Sequence, residues 1–414
     1  MPSIAVIATL DTKGIEASSL ADRIREAGMD VQLIDVGVMG EPMGGSPDVT
    51  NREVAAAAGE DLEEMREAAR SEDLDRVHAM RLMSDGLRSV ALDLYAEGDL
   101  HGAISIGGAQ GMNISTPAMQ ALPTGVPTLV VSTIASGRNA FGPFVGTKDM
   151  TLMHSVSDIV ESPLLDSILD NAAGAITGMV ARATDRERPL GETDATIVAA
   201  TMLGTTTPGV TVARELLEAD GWEVVVFHPN GVGGMAMEDL VRQEYFDGVL
   251  DLTTVELREW VVDGKYASDE TRLDAAGEVG VPQVVSVGGV DQIQCGPPET
   301  LSEEYSRRKT HQHNQNTVTV RANAAELRET ARLMAEKLNR ARGPVRVYLP
   351  ERGVSAVDRE GEALYDPDAN RAMYDELEQA VDAGVELERV DAHINDPEFG
   401  ERAARGLREL VRER

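Results

Sequence analysis

The chain reads as an α/β protein of two domains, each a doubly wound parallel sheet, and three observations predict it. Short apolar runs alternate with polar or glycine-rich loops and helix-period stretches through most of its 414 residues. Aromatic residues make up only 3%, leaving aliphatics and alanine to supply the core, which suits helices layered on sheets better than an all-β fold. The length exceeds one ordinary core. A charged, aperiodic run, TDRERPLGETD at 184–194, separates two halves and gives domains at 1–185 and 195–414.

In the first half, residues 4–8 form a strand, 15–27 an amphipathic helix closed by Gly28, and 31–36 a second strand. This is a βαβ unit whose polar loop, 9–14, stands at the carboxyl end of its strand, where open α/β sheets bind ligands. Asp11, Thr12 and Lys13 are its candidates. Residues 53–95 are helical with a break near Ser71, and Val77, Met80, Leu87, Val90 and Leu94 recur at helix-like intervals, which reads as core packing and solvated face rather than a site.

The stretch 102–116, GAISIGGAQGMNIST, organises the domain. An apolar strand runs into a turn of Gly107, Gly108, Ala109 and Gly111, and a helix opens at Asn113. Glycines let a backbone approach a phosphate or carboxylate while the helix N–H groups receive it. A plain strand-to-helix turn needs glycine as well. The next strand, 127–132, enters a polar turn holding Thr133, Ser136 and Gly137, and 163–183 is a small-residue helix bearing Asn171, Gly174 and Gly178. That helix suits close helix or subunit packing.

The second half repeats the pattern. Strands at 195–201, 222–227, 248–252, 282–287 and 344–349 end in Gly, Thr or charged loops, with helices at 210–219 and 237–245. The ligand loops of both halves are expected to face an interdomain cleft.

Charge is the largest global feature: 71 acidic against 38 basic residues, net −33, with only five lysines. This balance resembles that of proteins from salt-in halophiles, whose acidic surfaces stay hydrated in molar salt. It argues against nucleic-acid and anionic-membrane binding, both of which need a basic face. A polyanionic ligand needs local cations and N–H groups, so scarce Lys13 is expected to contact a phosphate, with the N–H groups of Gly108 to Gly111 and the Thr133, Ser136 and Gly137 turn completing the cradle. Cys295 stands alone, no apolar run approaches a membrane span, and the N-terminus lacks a basic, cleavable leader, so a cytoplasmic protein is expected.

Three further groups can carry chemistry. His228, Asn230, Gly233 and Gly234 could hold an anion while the imidazole transfers a proton, or form a tight turn. Arg307, Arg308, Lys309, His311, His313 and Asn314 form the one dense basic cluster, read as an anion clamp, with no metal assigned. Asp11, Asp291 and Asp358 at strand ends suit Mg²⁺ or ribose contacts, or helix caps. One alternative is therefore a lyase, hydrolase or isomerase acting on a small carboxylate or phosphorylated substrate, with His228, Arg307, His313 and Arg352 as clamp and acid–base groups.

Strings spread over nearly the whole chain carry a resemblance: TLDTKG (9–14), VSTIASG (131–137), VGTKDMTLMHSVSDI (145–159), NAAGAITGM (171–179), GTTTPGV (204–210), VFHPNGVGGMAME (226–238), VLDLTTVEL (249–257), RLDAAGEVGVPQVVSVGGVD (272–291), HNQNTVTVRA (313–322) and LPERGVSAVD (349–358). In this order they resemble the Tm-1-like UPF0261 family. The resemblance implies two Rossmann-like domains, binding of ATP, here with Mg²⁺, and a homodimer. It also suggests a non-catalytic inhibitor of other proteins, and it implies no reaction. Where family members show Gly-Gly-Ser-Gly-Gly-Thr, this chain has Gly107-Gly108-Ala109-Gln110-Gly111-Met112, two hydroxyls and one glycine fewer.

Overall fold

The apolar run after Pro2 forms β1 (Ser3–Ala8), buried throughout, and the chain passes at once into α1 (Leu10–Glu26). The computed structural model describes residues 1–70, 76–136, 142–186 and 193–413, and it divides into two units, Met1–Leu190 and Gly191–Arg414. After α1 the first unit continues with β2 (Asp30–Asp35), α2 (Asn51–Ala57), α3 (Leu62–Arg70), α4 (Arg76–Glu97), β3 (Gly102–Gly107) and α5 (Ala109–Ala121). It ends with β4 (Thr128–Ser132), α6 (Gly142–Val145), β5 (Thr151–His154) and α7 (Pro163–Thr184).

Its five strands are all parallel in the order β2-β1-β3-β4-β5. The chain winds outward from β1 to β2, then crosses back to β3, so the topological switch lies between β1 and β3. Each face of the sheet has its own apolar layer. Leu20, Ile24, Leu169 and Ile176 of α1 and α7 cover one, and Val54, Met83, Leu87 and Met119 of α2, α4 and α5 cover the other.

The second unit runs β6 (Ile197–Thr201), α8 (Thr207–Ala219), β7 (Glu223–Phe227), α9 (Gly233–Arg242), β8 (Gly248–Thr253), α10 (Val255–Val261), α11 (Ala275–Val279), β9 (Gln283–Gly288) and β10 (Gln292–Cys295). It continues with α12 (Glu303–Ser306), β11 (Thr310–Asn314), β12 (Thr317–Arg321), α13 (Ala324–Asn339), β13 (Val345–Pro350), α14 (Pro367–Ala380), β14 (Val385–Val390) and α15 (Pro397–Arg412). Six strands form a parallel sheet, β14-β13-β9-β8-β6-β7, again switching beside the first strand of the unit. Together the two sheets make a mixed α/β protein with two doubly wound, Rossmann-like cores.

The structure differs from the sequence reading in three ways. Helices begin earlier: α1 starts at Leu10, α5 at Ala109 and α9 at Gly233, so residues read as loops are first helical turns. Gly14 follows the first turn of α1, just past a kink at Lys13, and has to be glycine because the 36–45 loop lies against it: a Cβ there would sit 1.9 Å from the Met43 carbonyl oxygen. The helical stretch at 53–95 contains three helices, α2 to α4, and the break expected near Ser71 lies outside the described residues. Finally, β5, β14 and an antiparallel sheet, β10-β12-β11, were not expected. No helix among the described residues is long and apolar enough to cross a membrane.

Candidate functional site

At the carboxyl edge of the first sheet, the switch between β1 and β3 opens a pocket of about 350 Å³. Thr9, Asp11 and Thr12 come from the start of α1, and Gln110 from the first turn of α5. Val36, Val38, Met39, Ala79, Met80 and Ile114 supply its apolar side, from the loop after β2 and from α4 and α5. Gly108 is the N-cap of α5 in extended conformation, and no side chain at that position caps the first N–H groups of this 13-residue helix.

Polar side chains fix the rim. Asp35, fully buried at the end of β2, accepts the N–H groups of Leu10 at 3.0 Å and Gly37 at 2.8 Å. Burial raises its pKa, an effect that those two N–H bonds oppose. Asn51 donates to the Gly37 carbonyl at 2.6 Å. Arg66, nearly buried, donates from Nε to the Val38 carbonyl at 2.6 Å and from Nη2 to the Gly40 carbonyl at 2.9 Å. The Gly40 N–H donates to Asp11 Oδ2 at 3.1 Å.

The expected cradle is assembled only in part. Asp11 and Thr12 line the pocket, and Gly107, Gly108, Ala109 and Gly111 frame the start of α5 beside it. Gly107 and Gly111 approach closely, since a Cβ on Gly107 would lie 3.2 Å from the Gly111 Cα. Thr133 is a neighbour, its Oγ1 3.8 Å from where a Gly108 Cβ would be. Ser136 is exposed in the same turn, and Gly137 lies outside the described residues. Lys13 goes elsewhere. Its Nζ donates to the Ile159 carbonyl at 2.5 Å and lies 3.9 Å from Asp158. Ile159 belongs to the α1 and α7 layer, whereas the pocket is walled by side chains of the α4 and α5 layer.

Two family models cover almost the whole sequence: the UPF0261 N-terminal domain matches residues 2–185, and the UPF0261 C-terminal domain matches residues 195–411. The chain belongs to the UPF0261 family. A UPF0261 protein from Clostridium tetani is 40% identical over 98% of this chain and 98% of its own length. The ToMV resistance protein Tm-1(GCR237) of Solanum lycopersicum is 39% identical over 78% of this chain, which spans only 43% of that protein. Among solved structures, a UDP-GlcNAc 2-epimerase from Neisseria meningitidis bound to UDP-GlcNAc aligns with 69% of this chain and 82% of its own, at 9% identity and a TM-score of 0.24, a likeness too distant to bear on this protein.

In the C-terminal UPF0261 unit the four expected catalytic side chains are all exposed. His228 is exposed after β7, its Nδ1 3.2 Å from the Met202 carbonyl oxygen. Arg307 pairs with Glu303 one turn earlier, and exposed His313 is on β11. Arg352 is held by both oxygens of Asp391 at 2.8 Å. No hydrogen bond or ion pair among the described residues joins any two of these four. The basic cluster is largely neutralised by its own surroundings: Arg308 pairs with Glu304 and Glu326, and Lys309 donates to the Tyr365 carbonyl.

The glycine loop after β7 does hold an anion, but one from the chain itself. Glu256 Oε1 accepts the N–H groups of Gly231 at 2.8 Å and Gly234 at 3.2 Å, while its Oε2 accepts from Arg272 Nε at 2.8 Å. Fully buried Arg272 also reaches both oxygens of Asp251, at 2.5 and 2.9 Å, and Glu238 at 3.2 Å. Burial raises the pKa of Glu238 against the opposing Arg272 charge. Gly233 packs on the His228 carbonyl, a Cβ there falling 1.9 Å from that oxygen, and Asn230 is exposed.

Asp291 and Asp358 form a second buried group. Ser355 Oγ donates to Asp291 at 2.8 Å, and Asn370 donates to Asp358 at 2.7 Å. Arg321 bonds Asn370, and its Nη1 lies 4.0 Å from Asp291 Oδ2, while Nε and Nη1 make no hydrogen bond among the described residues. Sequence reasoning missed Arg66, Arg272 and Arg321. Their partners lie up to 49 residues away, so no local pattern announces them.

Proposed function

We propose that the first unit binds ATP, or a related phosphorylated ligand, at the carboxyl edge of its sheet, with Mg²⁺ brought by the nucleotide. The observation that carries this reading is the pocket at the β1/β3 switch, bordered by the uncapped first turn of α5. Open α/β sheets bind ligands at such switch points, and helix N-termini favour anions. The apolar wall would take the base and the α5 turn a phosphate. Asp11, Thr12, Gly108 and Thr133 are the residues retained for this site. Calorimetric titration of the full chain with ATP–Mg²⁺ in molar KCl should give saturable binding of one nucleotide per chain. Absence of any binding heat, together with an unchanged thermal midpoint at millimolar ATP, would sink the reading.

A homodimer through α7 and a cytoplasmic location are further parts of this proposal. The first is supported by Gly174 and Gly178, which have open space where a Cβ would point, and the second by the single, half-buried Cys295.

A further inference from the structure

The charge of the pocket constrains which part of a ligand it can grip. None of the ten side chains that form its wall is basic, and the charged one is Asp11. The guanidinium at the rim, Arg66, is engaged by the Val38 and Gly40 carbonyls and by Glu63 at 2.9 Å. The Lys13 ammonium is engaged by the Ile159 carbonyl in the other layer. A polyanion lodged within these walls would face a carboxylate in a chain of net charge −33. The lining offers instead an apolar surface containing Met39 and Met80, whose unbranched, polarisable side chains adapt to a ring. It also offers hydrogen-bond acceptors. Asp11 Oδ2 takes the Gly40 N–H at 3.1 Å, while Oδ1 accepts no bond among the described residues.

We propose that the pocket recognises the uncharged, hydroxylated heterocyclic end of its ligand, a nucleoside, with Asp11 Oδ1 accepting from a ligand hydroxyl or amino group, and that the phosphates add little affinity. This rests on the nucleotide reading above and specifies what that site selects. Arg66 is a positioning residue: by holding the Val38 and Gly40 carbonyls it sets the wall and presents the Gly40 N–H to Asp11.

The test is calorimetry of the full chain in about 2 M KCl, where the Debye length is below about 3 Å, with adenosine, AMP, metal-free ATP and ATP–Mg²⁺ as probes. Adenosine should bind within about threefold of metal-free ATP, and Asp11→Asn should weaken adenosine about tenfold, equivalent to about 1.4 kcal/mol. The Asn carbonyl can still accept the Gly40 N–H, so the thermal midpoint of that variant should stay near wild type. Met80→Glu, which places a second carboxylate in the wall, should abolish adenosine binding. ATP binding more than about thirtyfold tighter than adenosine, or an Asp11→Asn protein that binds adenosine like wild type, overturns this inference and leaves the nucleotide reading standing. Failure of all four probes removes both.

Discussion

Arg272 is enclosed by Asp251, Glu256 and Glu238, and the position that makes room for this group is Gly234. A Cβ at residue 234 would fall 1.8 Å from Glu256 Oε2 and 2.3 Å from Arg272 Nε, so even alanine must push the pair apart. Separating a buried ion pair leaves uncompensated charge and costs about 3–5 kcal/mol. Gly234→Ala should therefore lower the urea midpoint by that equivalent, and a midpoint within error of wild type would show that the cluster tolerates displacement. Asp291 supplies a pH-dependent counterpart. Burial, then the neighbouring Asp358 carboxylate, push its pKa from 3.8 to about 6, against the opposing Arg321 charge and the Ser355 and Gln292 hydrogen bonds. Between those two pH values the native state holds more protons than the unfolded chain, so stability falls as pH rises through the window and the loss is complete above it. The gap is worth on the order of 3 kcal/mol. Asp291→Asn should flatten the decline between about pH 4 and 6 and leave the protein more stable than wild type at pH 7. Parallel urea titrations across that range check it, and identical slopes for the two proteins would refute it.

At the scale of elements, α7 presents the clearest unanswered surface. Leu165, Leu169, Ala172, Ile176 and Val180 bury one face, while Leu164, Asn171, Gly174 and Gly178 remain exposed on the other. Glycine in a helix interior costs about 1 kcal/mol relative to alanine, and neither glycine has a neighbour within 4 Å of its absent Cβ to justify it. A close-packed partner helix would. The Gly174→Ala/Gly178→Ala protein should then shift in light scattering from a dimer toward the 44.4 kDa monomer. If wild type already scatters as a monomer, the double variant should simply be more stable. In the first unit β1 to β4 were legible because their apolar runs are bounded by glycine and polar turns, whereas the short, half-exposed β5 was not. Helix starts were not, because Gly111 and Gly233 look like loop residues and sit instead in first helical turns that other backbone approaches. The β12 alternation of Thr317, Val318, Thr319 and Val320 was a visible strand signal, obscured by the charged, exposed residues before it. At the site, Asp11, Thr12 and the Gly107 loop were legible from their place at strand ends. The apolar wall was not, because Val38, Met39, Met80 and Ile114 converge only through the crossover.

For the molecule as a whole, the excess of 71 acidic over 38 basic residues must act on stability through solvent. Salt has two opposed effects on such a chain. It screens exposed ion pairs such as Arg307–Glu303 and Arg352–Asp391, which contribute little to stability. It also screens the repulsion among the unpaired carboxylates, which favours expansion at low ionic strength. Most bases already have acidic partners, so the carboxylates left over set the net charge, and their repulsion extends over a Debye length that shrinks from about 10 Å at 0.1 M to about 3 Å at 1 M. Relief of repulsion should therefore win. The thermal midpoint is expected to rise steeply with KCl up to about 1 M, and then more slowly as preferential exclusion of salt takes over. Sucrose at matched osmolality should not reproduce the first, steep part, because it leaves the charges unscreened. A midpoint that is flat or falling between low and molar KCl would mean that the acidic excess is not an adaptation to a salty solvent, and the reason for so many carboxylates would have to be sought in a cationic partner.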